Sequence, residues 1–135
     1  MTRKFIIAKL CRDERGVAAV EMALTLPLLL TFIYGIFQIG VILAANAGMQ
    51  HALGEGARFA TLFPTPTNEQ IATRMSDKVF GVKVGVFGTP TVADPPTGQT
   101  GYRDLAVTYS VTPNFLFFNG PPIALTRTKR VYLSI

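Results

Sequence analysis

The chain has 135 residues, 49% of them hydrophobic and 16% charged, with one cysteine, one histidine and a formal net charge of +5. That length suits one small domain, and so apolar a composition excludes a globally disordered chain. A single cysteine excludes an internal disulfide framework and a cysteine-based zinc site, and a single histidine excludes a histidine cluster. Few nucleophile–base pairings are left for catalysis, so the expectation is a protein that is not an enzyme, with no metal and no cofactor.

The positive charge is concentrated at the start. Residues 1–16 hold Arg3, Lys4, Lys9, Arg12 and Arg15 against Asp13 and Glu14, a balance of +3, while the rest of the chain contributes only +2. Phosphate binding needs a basic stripe on a folded face, and the later basic residues are scattered apart from Arg127, Lys129 and Arg130. Nucleic acid is therefore not an expected partner.

Over residues 17–45 the only side chain charged at neutral pH is Glu21. About 20 apolar residues cross a hydrocarbon core, so this run is long enough to span a bilayer. The basic tail before it sets the orientation, with the N-terminus cytoplasmic and the C-terminal part on the far side. A secretory signal peptide would have a shorter apolar core, even though Ala45-Asn46-Ala47 fits its cleavage site. A lipoprotein anchor fails because Cys11 precedes the apolar run.

The junction reads Arg12-Asp13-Glu14-Arg15-Gly16-Val17-Ala18-Ala19-Val20-Glu21. A basic leader ends in glycine, an apolar helix follows, and one carboxylate lies five residues beyond the glycine. This resembles the processing site of type IV prepilins and pseudopilins. The continuation Ala23-Leu24-Thr25-Leu26-Pro27-Leu28 looks most like the TadE-like proteins, minor pseudopilins of the tight-adherence (Flp) pilus system. The resemblance implies cleavage between Gly16 and Val17 by a prepilin peptidase. It also implies partners among other pilins or pseudopilins and the pilus assembly machinery of the inner membrane. Localisation would be a single pass through the inner (cytoplasmic) membrane, distal domain extracytoplasmic, with entry into a pilus left open.

A carboxylate at the centre of a bilayer costs about 2.5–3.5 kcal/mol on insertion scales, and less near the edge, where Glu21 is expected. Cleavage would create a cationic partner for it, the new α-amine of Val17, on the same or a neighbouring chain. The resemblance implies pairing with a neighbour's N-terminus, which fixes axial register. The alternative is a hydrated glutamate favoured by the dipole at the helix start. Pro27 removes one intrahelical hydrogen bond, predicting a kink or local melt.

Gly40, Ala44, Gly48, Ala52, Gly56 and Ala60 recur every fourth residue and form a ridge of minimal side chains. Such ridges let helices approach closely in membranes. Intermolecular packing is expected for Gly40, Ala44 and Gly48, while beyond about Met49 packing on the chain's own domain is an equal alternative. The helix is predicted to run to about Phe63, where Pro64 and Pro66 end it. His51, Glu55 and Arg58 share a face at helical spacing, as a solvated charged patch or, less simply, a catalytic group.

The remainder predicts a small α+β unit. Thr67-Asn68-Glu69-Gln70 resembles a capping box, with Ile71, Met75 and Val79 on one face of the helix and Gly81 as its stop. Strand alternation appears over residues 82–86, 104–112 and 124–133, the last two paired antiparallel. Phe115-Leu116-Phe117-Phe118 fills the loop between those two strands. The expected organisation is a leader (1–16), a long helix (17–63) and a distal domain (64–135), an α+β membrane-anchored, pilin-like fold. The functional expectation is a minor pseudopilin; the alternative is a permanently anchored single-span envelope protein whose distal domain binds a partner.

Overall fold

In the computed structural model, which describes residues 14–81 and 84–133, one helix sets the length of the molecule. Helix α1 (Glu14–Ala60) has 47 residues, about 70 Å at the helical rise of about 1.5 Å per residue. Most of the leader, with Cys11, lies outside the described residues, as do Val82 and Lys83 of the first predicted strand. α1 passes through Pro27 without a break, so the expected local melt is absent. Proline removes one donor, the partner of the Ala23 carbonyl, and unwinding would expose several more backbone groups. The hydroxyls of Thr25 and Thr31 donate back to the carbonyls of Glu21 (2.7 Å) and Pro27 (2.8 Å), which keeps both polar side chains paired on an apolar surface.

α1 ends at Ala60, three residues before the expected Phe63. The cause is Pro64, which disfavours the α conformation at Phe63. Thr61 and Leu62 close a tighter turn, donating to the carbonyls of Arg58 and Phe59. Helix α2 (Asn68–Lys78) starts on a reciprocal capping box: Thr67 Oγ1 accepts from Gln70 N, and Thr67 N donates to Gln70 Oε1. It ends at Lys78 rather than at Gly81, with Val79 N donating to the Met75 carbonyl. Its apolar face buries Ile71 and Met75 completely.

The sheet is antiparallel throughout. β3 (Tyr102–Val111) pairs along its whole length with β4 (Ile123–Tyr132), from Tyr102 opposite Tyr132 to Val111 opposite Ile123. The short strands β1 (Val86–Phe87) and β2 (Thr91–Ala93) follow one another along the other edge of β3. Leu105, Val107, Tyr109 and Val111 point to the core at strand period, against Ala45, Met49, Ala52 and Leu53 of α1 and Ile71 and Met75 of α2. β4 is mostly exposed, as its basic residues predict for an edge strand. The result is a long apolar helix, a short helix and a small antiparallel sheet, an α+β fold consistent with membrane anchoring.

Candidate functional site

Gly16, Val17 and Glu21 all lie in the exposed first turns of α1. The described helix already includes Glu14 and Arg15, ahead of the expected cleavage point, so a peptidase would meet the Gly16–Val17 bond inside a helical turn. Glycine lowers the cost of opening that turn, being about 1 kcal/mol less favourable than alanine in a helix, and a Cβ added at Gly16 would touch nothing within 4 Å. Glu21 lies one helical turn beyond Val17, with no ion pair to it among the described residues.

The small-residue ridge divides into two environments. A Cβ at Gly40 would have no neighbour within 4 Å. At Gly48 it would collide with the backbone carbonyl of Phe80, and at Gly56 with the Met75 side chain. Ala52 and Ala60 are buried in the core as well, whereas Gly40 is exposed and Ala44 half-buried. Gly48 therefore takes its close contact from its own chain, which corrects the expectation of intermolecular packing there. The reason is geometric: four residues turn a helix by about 400°, so each step of the row drifts by about 40°. Between Gly40 and Gly48 the ridge has rotated by about 80°, out of the open face and under the domain.

Below the domain, α1 is bare. The leucine, isoleucine, phenylalanine and valine side chains of residues 17–37 are largely exposed, from 43% at Leu30 to 74% at Leu24. The helix Gly16–Ala60 is long and apolar enough to cross a membrane, and most of its apolar window is unburied, unlike the core helix of a soluble protein. The family model for TadE-like protein matches residues 16–58. The matched segment is TadE-like. It begins at the glycine of the expected cleavage site, includes all the bare surface, and stops just short of the end of α1. The match associates the chain with the tight-adherence pilus system. No curated protein and no solved structure matches the chain.

One side of the TadE-like helix is covered near its midpoint by a remote loop. Gln38, 3% exposed, donates from Nε2 to the carbonyl of Asn114 at 3.1 Å. Its Oε1 is buried without a partner. The Phe115 ring lies beside Gly35, where an added Cβ would stand 3.4 Å away. Pro113, Phe115 and Ile123 face Thr31, Phe32, Gly35 and Ile39 across an apolar groove of about 330 Å³. Leu116 adopts a left-handed conformation with φ 72°, a strain of order 1–3 kcal/mol for a non-glycine residue. An uncharged amide in the apolar run and a cluster of aromatic residues in a loop were visible in the sequence. Their pairing, 76 residues apart, was not.

The charged face of α1 is dispersed. His51 packs its ring on Phe80 at a centroid distance of 5.4 Å, Glu55 pairs with Arg74 of α2 at 3.6 Å, and Arg58 is exposed. No group of three potential metal ligands occurs among the described residues. At the far end of the sheet Arg130 grips Asp104 through hydrogen bonds of 2.8 and 2.9 Å and lies 4.1 Å over the Tyr102 ring. The hydrogen bond from the guanidinium holds the Asp104 carboxyl below its ordinary range and raises the pKa of Arg130 in return. Arg127 reaches back to α1, donating from Nε to Asn46 Oδ1 at 2.7 Å.

Proposed function

We propose that this chain is a minor pseudopilin of a tight-adherence pilus, cleaved between Gly16 and Val17 by a prepilin peptidase and assembling through the bare half of α1. The carrying observation is the TadE-like match, which starts at Gly16 and extends along the exposed apolar helix. In this reading Glu21 receives the α-amine that cleavage creates on a neighbouring chain. An apolar setting strengthens such a pair and makes either charge costly alone. Gly40 and Ala44, on the face left open by the domain, provide the close approach between helices. The distal domain stands in the extracytoplasmic space, the inner membrane holds the span, and other pilins and the assembly machinery are the partners.

Intact-mass measurement of the protein purified from membranes of its native host tests the reading. Loss of residues 1–16 leaves 119 residues without a cysteine. Retention of Cys11 in every molecule would favour the permanently anchored protein, which has no need of a leader peptidase. Glu21→Ala should insert as well as the parent or better, since a lipid-disfavoured charge is removed. It should nevertheless fail to assemble; piliation at the parental level would disprove the charge pair.

A further inference from the structure

We propose that the loop of residues 113–122 is a second membrane contact, with Leu116, Phe117 and Phe118 inserted into the leaflet nearest the domain. The inference rests on α1 being a membrane span, and four observations support it.

The first is height. Residues 17–37 measure about 31 Å along the helix, matching a hydrocarbon core about 30 Å thick. A span starting at Val17 therefore leaves the hydrocarbon close to Gln38. The loop is fastened at this level: Asn114 to Gln38 by a hydrogen bond, and Phe115 against Gly35. Starting the span at Met22, past the carboxylate, moves the exit to about Ile42 and sets the loop deeper. Either placement brings the loop to the boundary or below it.

The second is chemistry. Leu116, Phe117 and Phe118 are 52%, 64% and 59% exposed, at the tip of a loop that no other part of the domain covers. Between Asp104 and Arg127 there is no charged residue, nor is there any Asp, Glu, Lys or Arg on α1 from Met22 to Gly54. Arg127 sits at the level of Asn46, about 12 Å above Gln38. Among the described residues, the loop and the ends of β3 and β4 that carry it are thus uncharged, while Arg127 lies farther out.

The third is backbone pairing. In lipid an unpaired amide has no water to turn to. Four of the loop's amides are paired within it: Phe115 N donates to the Phe118 carbonyl, Phe117 N to that of Phe115, Gly120 N to that of Pro113, and Leu116 N to Asn114 Oδ1. Pro113, Pro121 and Pro122 have no amide hydrogen to satisfy. The left-handed turn at Leu116 and the stacking of Phe115 on Phe118, centroids 5.2 Å apart, hold this form.

The fourth is the groove of about 330 Å³ between the loop and α1. It opens along the bare helix at the level of Thr31 to Ile42, where an acyl chain would lie alongside the span. An apolar tip beside an apolar groove at bilayer height fits lipid without any rearrangement of the domain.

The test uses the full chain on a Cys11→Ser background, carrying an environment-sensitive fluorophore at one of three sites. These are Leu28→Cys within the span, Phe117→Cys at the loop tip, and Thr97→Cys in the exposed turn near Tyr102, about 30 Å along β3 from the loop. Each protein is reconstituted at low density into phosphatidylcholine–phosphatidylglycerol vesicles with or without spin-labelled acyl chains. The expected result is strong quenching at residue 28, quenching at residue 117 at least roughly half as large, as for a group some 5–10 Å deep, and none at residue 97. Quenching at 28 without quenching at 117 overturns the proposal and leaves the span intact. No quenching at 28 removes the span and the proposal together. A blue shift at 117 that is insensitive to labelled lipid and grows with protein density assigns the loop to a second chain and also overturns it.

Discussion

The lower and upper halves of α1 share one unbroken backbone but are stabilised in different ways. Above Gln38 the helix is clothed: Ala45, Met49, Ala52 and Leu53 are buried, and Phe80 and Met75 press against glycines where no side chain would fit. Below it Val17, Leu24, Leu28 and Phe32 stay exposed, and Gly16 has nothing against it. At Gly48 and Gly56 a glycine is required by contacts within the chain. At Gly16 and Gly40, which meet nothing within the chain, any such requirement has to come from lipid or another molecule. The same residue type, at the same spacing, therefore carries two meanings along one helix, separated by about 40° of drift per step.

The sharpest way to break this comparison is a matched pair of substitutions. Gly48→Ala drives a methyl group into the Phe80 backbone, which cannot move aside as a flexible side chain can. It should destabilise the domain by about 1–3 kcal/mol, the usual range for overpacking, while Gly40→Ala, meeting nothing, should be neutral or stabilising by up to about 1 kcal/mol. Thermal unfolding followed by circular dichroism in micelles measures both. Equal effects would mean that the ridge is a single environment.

A smaller effect probes the border between the halves. Gln38→Leu removes the bond that ties Asn114 to α1, at a cost of about 1 kcal/mol. Hydrogen exchange should quicken at Phe115 and Gly120, whose amides bond within the loop, and should stay unchanged at Leu105 in mid-strand. Acceleration spread evenly over the sheet would show that Gln38 supports the whole domain.

The smallest effect lies in the sheet, far from the bare half of α1. Asp104 is held below its ordinary value of 3.8 by Arg130. Its contribution to stability is therefore complete above that value and is lost as pH falls through the lower folded-state value. The pair is exposed, so the change is slight. In Asp104→Asn this part of the acid-limb loss should vanish, and a side-by-side pH titration of thermal midpoints detects it. Parallel curves for the two proteins would mean that the clasp contributes nothing.

Much of this organisation was legible from local chemistry. The apolar run of residues 17–45 declared a long helix that is a candidate span, Thr67 and Gln70 declared a cap, and the alternation of Leu105, Val107, Tyr109 and Val111 declared a buried strand face. Their partner strand followed from adjacency in sequence. Boundaries slipped where a backbone restriction acts ahead of its residue: Pro64 ends α1 at Ala60, and α2 stops at Lys78 before reaching Gly81. The ridge was seen as a pattern but its division was not, because what presses on Gly48 comes from Phe80, on another segment. The bond from Gln38 to Asn114 stayed hidden for the same reason. A sequence shows which side chains need partners, and only the fold shows which distant segment supplies them.

Because α1 is one rod, its bare length below the domain also acts as a dial. Adding one residue between Met22 and Tyr34 would turn everything above it by about 100° and raise it by about 1.5 Å. The loop fastened at Gln38 would swing round with the sheet, leaving Glu21 and the start of the helix facing their original direction. Three added residues fall about 60° short of a full turn and four overshoot it by about 40°, so no whole-number insertion of that size restores both height and bearing. The number of residues in the apolar run thus records the compass heading of the domain relative to Glu21, a quantity that hydrophobicity alone would leave free to vary.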